Sequence, residues 1–123
     1  MIAVVIVDHG SRRAEANDAF LEVVARFGER GRFQIVEPAH MEIASPTIAD
    51  AFERAVARGA SEIVVHPYFL SPGRHWQSDI PSLCDAASRK HGSVPFRVTE
   101  PLGLSERILD VIDERIDAVL AGS

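Results

Sequence analysis

The chain has 123 residues, 46% of them hydrophobic and 25% charged, with a formal net charge of −5. That length suits one domain, here spanning residues 1–123, with room for a modest core. The acidic balance argues against a nucleic-acid module, which carries a basic excess. No run approaches the roughly 20 apolar residues of a membrane span, and the single Cys84 offers neither an internal disulfide nor a cysteine-based metal site. Met1 leads straight into an apolar run with no basic n-region or cleavage site, so the expectation is a soluble, cytoplasmic protein.

Residues 2–8 (IAVVIVD) form a nearly continuous apolar run, as expected of a strand covered on both faces. A helix over 14–28 follows, with Phe20, Val23, Val24 and Phe27 along one stripe. Residues 33–39 (FQIVEPA) read as the second strand. In "SPTIADAFERAVARG", Ser45 is the expected cap and Pro46 the first helical position, Ile48, Phe52 and Ala55 share a face, and Gly59 closes the end. The third strand is 61–66 (SEIVVH). The spacing predicts a third helix from near Pro81 to Gly92, a fourth strand over 94–99, and a last helix, "SERILDVIDERIDAVL". That helix puts Ile108, Val111, Ile112, Ile116, Val119 and Leu120 on one side, most simply as core, with some of the stripe free for a subunit interface.

Strict βα alternation predicts an α/β fold, a four-stranded parallel sheet with helices on both faces and right-handed crossovers. The economical arrangement is a single flavodoxin-like domain with strand order 2-1-3-4. Ligands then bind beyond the carboxyl ends of strands 1 and 3, where chain direction reverses. Three loops reach that edge. The first carries Asp8, His9, Gly10, Ser11, Arg12 and Arg13, the second His40 and Glu42, and the third Arg74, His75 and Asp79.

Imidazoles with a carboxylate suit divalent Fe, Co, Ni or Zn. Two or three protein ligands leave coordination positions open, as in catalytic rather than structural sites. Neutral histidine is also a proton acceptor near pH 7. Arg12, Arg13 and Arg74 beside these groups fit carboxylate binding, because the guanidinium fork matches a carboxylate in two bonds. Each residue also has a plainer reading: a strand-end histidine satisfying backbone groups, an arginine that is solvated surface charge. His40 and His66 read as packed residues or as groups orienting others, His91 as a structural residue at a helix C-terminus, and Cys84 as a small buried hydrophobe. Tyr68, Phe69 and Trp76 serve as apolar wall or as packing.

The segments "DHGSRR", "VEPAHMEIASPTI", "GASEIVVHPYFLSPGRHWQSDIPSL" and "PLGLSERILDVI" cover much of the chain in order. Together they resemble short class II chelatases of the CbiX/SirB type, the sirohydrochlorin cobaltochelatases and ferrochelatases. "VEPAHME" and "PGRHWQSDIPSL" are most similar to the chloroplast ferrochelatases, whose cysteine-rich C-terminal extension binds an iron–sulfur cluster. Nothing up to Ser123 matches that extension, so the feature is not carried over.

The resemblance implies ATP-independent insertion of a divalent metal, Fe²⁺, Co²⁺ or Ni²⁺, into sirohydrochlorin, in sirohaem or cobalamin biosynthesis. The metal is substrate, and no permanent cofactor is implied. The family's metal positions map onto His9 and His75, and its acidic position onto Glu42. These three are the expected catalytic residues, and which of them accepts the pyrrole protons is left open. Ser11, Arg12, Arg13 and Arg74 are the expected substrate-binding residues, against a macrocycle carrying eight carboxylates. Short members resemble one half of longer relatives, which implies a homodimer with the tetrapyrrole cleft near the subunit interface. The main rival is a non-catalytic protein that binds and delivers metal or tetrapyrrole. A phosphohistidine enzyme is a weaker rival, because Asp8 rather than arginine precedes His9 and no Gly-rich phosphate loop is present.

Overall fold

The computed structural model of the chain describes residues 1–71 and 73–122, without the side chains of Arg74, His75 and Trp76. Strands β1 (Ile2–Asp8), β2 (Ile35–His40), β3 (Glu62–Pro67) and β4 (Phe96–Val98) alternate with helices α1 (Ala14–Glu29), α2 (Ile48–Ala57), α3 (Arg74–Lys90) and α4 (Glu106–Gly122). All pairings are parallel and the sheet order is β2-β1-β3-β4, as the alternation predicts. Pro38 lies within β2, which is tolerated because β2 is an edge strand where a missing N–H costs least.

The alternate residues of β1 divide the core. Ala3, Val5 and Val7 are fully buried with Ile63 and Val65 of β3 beneath Ala51, Phe52 and Ala55 of α2 and Ile80, Cys84 and Ala87 of α3. Val4 and Ile6 face the other way, against Phe20 and Val24 of α1. At Cys84, burial pushes the thiol pKa up to about 12, which makes it an inert packing residue as its sequence context suggests.

Two helix starts differ from expectation for local reasons. Helix α2 is capped by Thr47 rather than Ser45: the Thr47 hydroxyl accepts from the Asp50 N–H, and the Asp50 carboxylate accepts from the Thr47 N–H, a closed capping box. Ser45 and Pro46, joined by a cis peptide bond, both precede the helix. Helix α3 begins at Arg74, not near Pro81; the Gln77 N–H already bonds the Gly73 carbonyl, and Pro81 sits exposed inside the helix. Its missing N–H removes only the bond to the Gln77 carbonyl, near solvent. Arg74, His75 and Asp79 therefore belong to a helix and not to a loop.

The largest departure is α4. None of its residues is buried, and among the described residues it packs extensively along no other helix or strand. The expected core stripe is 40% exposed at Val111, about half exposed at Ile112 and Ile116, and more so at Leu120 and Val119. The sheet face beside α1 is correspondingly half covered, and His66 sits there with its Nδ1 2.8 Å from the Thr99 hydroxyl. Desolvation at this position outweighs a backbone hydrogen bond near Glu100 and lowers the His66 pKa from 6.5. The unfolded chain then takes up the proton first as pH falls below 6.5, so stability is held in full above that value and is lost below it. In His66→Gln, the fall in urea midpoint from about pH 7 to about pH 5 is expected to be shallower than in the parent chain.

Among the described residues, no helix is long and apolar enough to cross a membrane.

Candidate active site

The parallel register sets Asp8 at the end of β1 directly beside His40 at the end of β2. Asp8 Oδ1 accepts from His40 Nδ1 at 2.6 Å and from the Gly10 N–H at 3.0 Å. A carboxylate only accepts, so Nδ1 is the protonated nitrogen. His40 is fully buried, and its Nε2 has no partner among the described residues; Phe20 of α1 lies beside the ring at 5.4 Å between centroids. Leaving a bare lone pair there costs less than leaving a donor, since the one N–H is already satisfied. His40 is thus a packed group holding Asp8, as its plainer reading has it.

With Asp8 tied back in this way, the next residue emerges. His9 is exposed, and its ring lies 4.3 Å from Phe69, which follows β3. The loop after β2 is stitched onto the same turn: the Met41 N–H donates to the Asp8 carbonyl at 2.7 Å and the Glu42 N–H to the His9 carbonyl at 3.1 Å. Glu42 is exposed beside His9 in the chain-to-chain sense, its backbone fixed and its carboxylate in solvent. Gly10 has φ +88°, and a Cβ there would lie 2.1 Å from the Glu42 carbonyl oxygen. Only glycine permits both the left-handed turn and the close approach.

Beyond Gly10 the chain is clamped by Asn17, in the first turn of α1. Its side chain accepts from the Ser11 N–H at 3.0 Å and donates to the Ser11 carbonyl at 2.8 Å. The Ser11 hydroxyl accepts from the Arg13 N–H at 3.0 Å, closing the turn into α1. Ser11 is expected against the ligand, and here its hydroxyl is engaged within the turn. Arg12 and Arg13 are exposed and make no ion pair among the described residues, so both guanidinium groups are free to meet an anion. Asn17 is the residue sequence reading missed. Its only signal was an amide in a helix first turn, near enough to fold back on the preceding loop.

On the α3 side, Glu42 and Asp79 line one shallow depression of about 380 Å³ with Met41, Ser82 and Leu83. Asp79, carried by α3 rather than by a loop, thus faces the same depression as Glu42. Among the described residues no three His, Cys, Asp or Glu side chains converge on one ion position. His75 and Arg74 begin α3, and their side chains lie outside the described residues. Tyr68 is half-buried and packs with Phe20 of α1, whereas Phe69 supports His9.

Asp8→Ala removes the acceptor from a fully buried imidazole and from the Gly10 N–H together. A loss of about 2–3 kcal/mol in a urea melt is expected, with Asp8→Asn losing less, since its amide oxygen still accepts one of the two bonds.

The chain resembles known proteins over nearly its whole length. Residues 3–119 match the CbiX family model. It is 48% identical to the chloroplastic sirohydrochlorin ferrochelatase of Arabidopsis thaliana, over 96% of this chain and 52% of that protein. With the sirohydrochlorin cobaltochelatase of Sulfolobus acidocaldarius it shares 33% identity over 98% of this chain and 94% of the other. The chain therefore spans about half the length of the plant relative and nearly all of the archaeal one. Among solved structures, a cobalamin biosynthesis CbiX protein from Marinobacter aquaeolei superposes with a TM-score of 0.86 at 28% identity, each chain fully covered. SirB from Bacillus subtilis with Fe³⁺ gives 0.84 at 29% identity over 96% of this chain and 47% of that one. On this match of sequence and fold, the chain belongs to the CbiX family.

Proposed function

We propose that this protein inserts a divalent metal, Fe²⁺, Co²⁺ or Ni²⁺, into sirohydrochlorin without ATP. The observation that carries the reading is the exposed imidazole of His9, delivered by a buried strand to the carboxyl edge of the sheet and backed by the Asp8–His40–Gly10 bonds. Family membership supports it, as do relatives named as chelatases of that tetrapyrrole.

In this reading His9 and His75 hold the incoming ion with coordination positions left open, so that it can be passed on. Metal entry displaces two pyrrole N–H protons, which His9, His75 or Glu42 accepts in this reading. Arg12, Arg13 and Arg74 meet the peripheral carboxylates in paired bonds, with Ser11 shaping the turn that presents the first two. The metal is a substrate, and the protein needs no permanent cofactor. The protein acts as a homodimer in the cytoplasm, on a small-molecule partner and not on nucleic acid or membrane. A single β-sheet edge offers little wall for a ligand as wide as a macrocycle, which supports pairing of two copies.

The test is to mix protein, sirohydrochlorin and each of Fe²⁺, Co²⁺ and Ni²⁺ and to follow the visible spectrum of the pigment. An insertion rate well above the protein-free control is expected with at least one metal. Binding of metal or pigment with no rate above that control, for all three, would replace the reading by that of a delivery protein.

A further inference from the structure

Three large apolar residues stand in solvent on the loops that follow β2, β3 and β4: Ile43 is 61% exposed, Leu70 69% and Leu104 95%. One exposed apolar residue is ordinary. Three at one edge of one sheet are not, and two of them flank the His9 turn. The Glu42 N–H donates to the His9 carbonyl, which brings the Ile43 loop to one side of that turn, and the Phe69 ring lies against His9, which brings the Leu70 loop to the other. The Leu102 N–H donates to the Phe69 carbonyl at 3.0 Å and so draws in the loop that carries Leu104.

Ile43 is also strained. Its φ is +75°, and the Ala44 N–H donates across it to the Glu42 carbonyl at 2.9 Å. A three-residue turn of that kind is rare and strained, and a β-branched side chain is among the worst suited to positive φ. Glycine or asparagine would fit better. The turn cannot relax alone, because the same Glu42 carbonyl presses on Gly10 while the Glu42 N–H is bonded to His9. Packing does not account for isoleucine there, since most of the residue meets water. Strain of this kind collects where a side chain is needed for function.

We infer that Ile43, Leu70 and Leu104 seat one face of the tetrapyrrole ring, and that Ile43 is a specificity-determining residue of the site. The inference rests on the function proposed above and names the groups that meet the ring itself, as distinct from its carboxylates. A flat apolar ring with anionic edges is the occupant that fits, because the patch shares its edge of the sheet with Arg12 and Arg13, which make no ion pair among the described residues. A purely apolar partner would leave those cations unmatched, and a simple anion would leave the aliphatic residues bare. The aromatic residues expected as wall are otherwise engaged: Phe69 is buried beside His9, and Tyr68 packs with Phe20.

The experiment is a titration of the protein with metal-free sirohydrochlorin, followed by the visible spectrum of the pigment, alongside KM and kcat for insertion and a urea melt. It compares the full chain with Ile43→Gly, with Ile43→Asn, and with Leu70→Ser combined with Leu104→Ser, which changes only exposed residues and tests the patch apart from the turn. Both Ile43 variants suit the left-handed turn, so their urea midpoints are expected at or above that of the parent. The pigment should bind each variant about 10-fold more weakly, the scale of one lost aliphatic contact. KM for the pigment should rise alike, with kcat changed less and the dependence on metal concentration unmoved. A parent chain that neither binds the pigment nor speeds insertion overturns the proposed function and this inference together. An active parent whose folded variants, of either kind, bind the pigment as tightly as it does overturns the inference and leaves the function standing. So does a lowered urea midpoint in both Ile43 variants with kcat reduced and KM unmoved, the pattern of a structural residue. So, too, does a change of oligomeric state in sedimentation equilibrium with pigment affinity intact, which assigns the patch to a contact between copies.

Discussion

Alanine at position 9 is expected to lower the rate of metal insertion into sirohydrochlorin by about 10²–10⁴-fold, the span lost when a positioned acid–base or ligating group is removed. Stability should hardly change. His9 is exposed, and among the described residues its ring packs on that of Phe69 at 4.3 Å, so the substitution opens no cavity. The comparison that matters is initial rate by visible spectroscopy set against the urea midpoint of the same preparation. Loss of turnover with an unchanged midpoint places His9 in the chemistry, and full turnover would remove it. His75→Ala is expected to behave alike if the two imidazoles act on one ion.

Gly10→Ala should be damaging in a different way, through the backbone. The residue has φ +88°, where any side chain is strained by about 1–3 kcal/mol. Its Cβ would also lie 2.1 Å from the Glu42 carbonyl oxygen, a backbone atom held by the Ala44 N–H at 2.9 Å. Relief requires the two loops to part, which strains the bond between the Glu42 N–H and the His9 carbonyl and the Asp8 bond to the Gly10 N–H. A loss of about 3 kcal/mol or more is expected in denaturant unfolding, with insertion activity falling as His9 and Glu42 separate. A stability within about 1 kcal/mol of the parent would show that the loops are not pressed together as described.

The two variants divide the site into parts that sequence reveals unequally. His9, Glu42, Arg12 and Arg13 are nominated by residue type and by a place after a strand. Asn17 is not: its role is to bond both backbone groups of Ser11, and an amide in a first turn has no distinct pattern until the loop is folded back on it. His40 illustrates the same point. The sequence shows a histidine after β2, but its burial follows from the register that pairs it with Asp8 across the sheet.

By itself the sequence determined the alternation of four strands and four helices, the parallel sheet in order 2-1-3-4, and the edge at which polar residues gather. These follow from local periodicity and from the handedness of crossovers, which act over one or two elements at a time. Tertiary structure decided the rest. It set the start of α3 before Pro81, the capping of α2 by Thr47 and the clamping of the His9 turn against Glu42, because each depends on atoms distant in the chain or on the exact path into an element. It also decided the fate of α4. An amphipathic stripe requires an apolar partner, but the pattern cannot say where that partner is, and here the described body of the same chain leaves the stripe largely exposed.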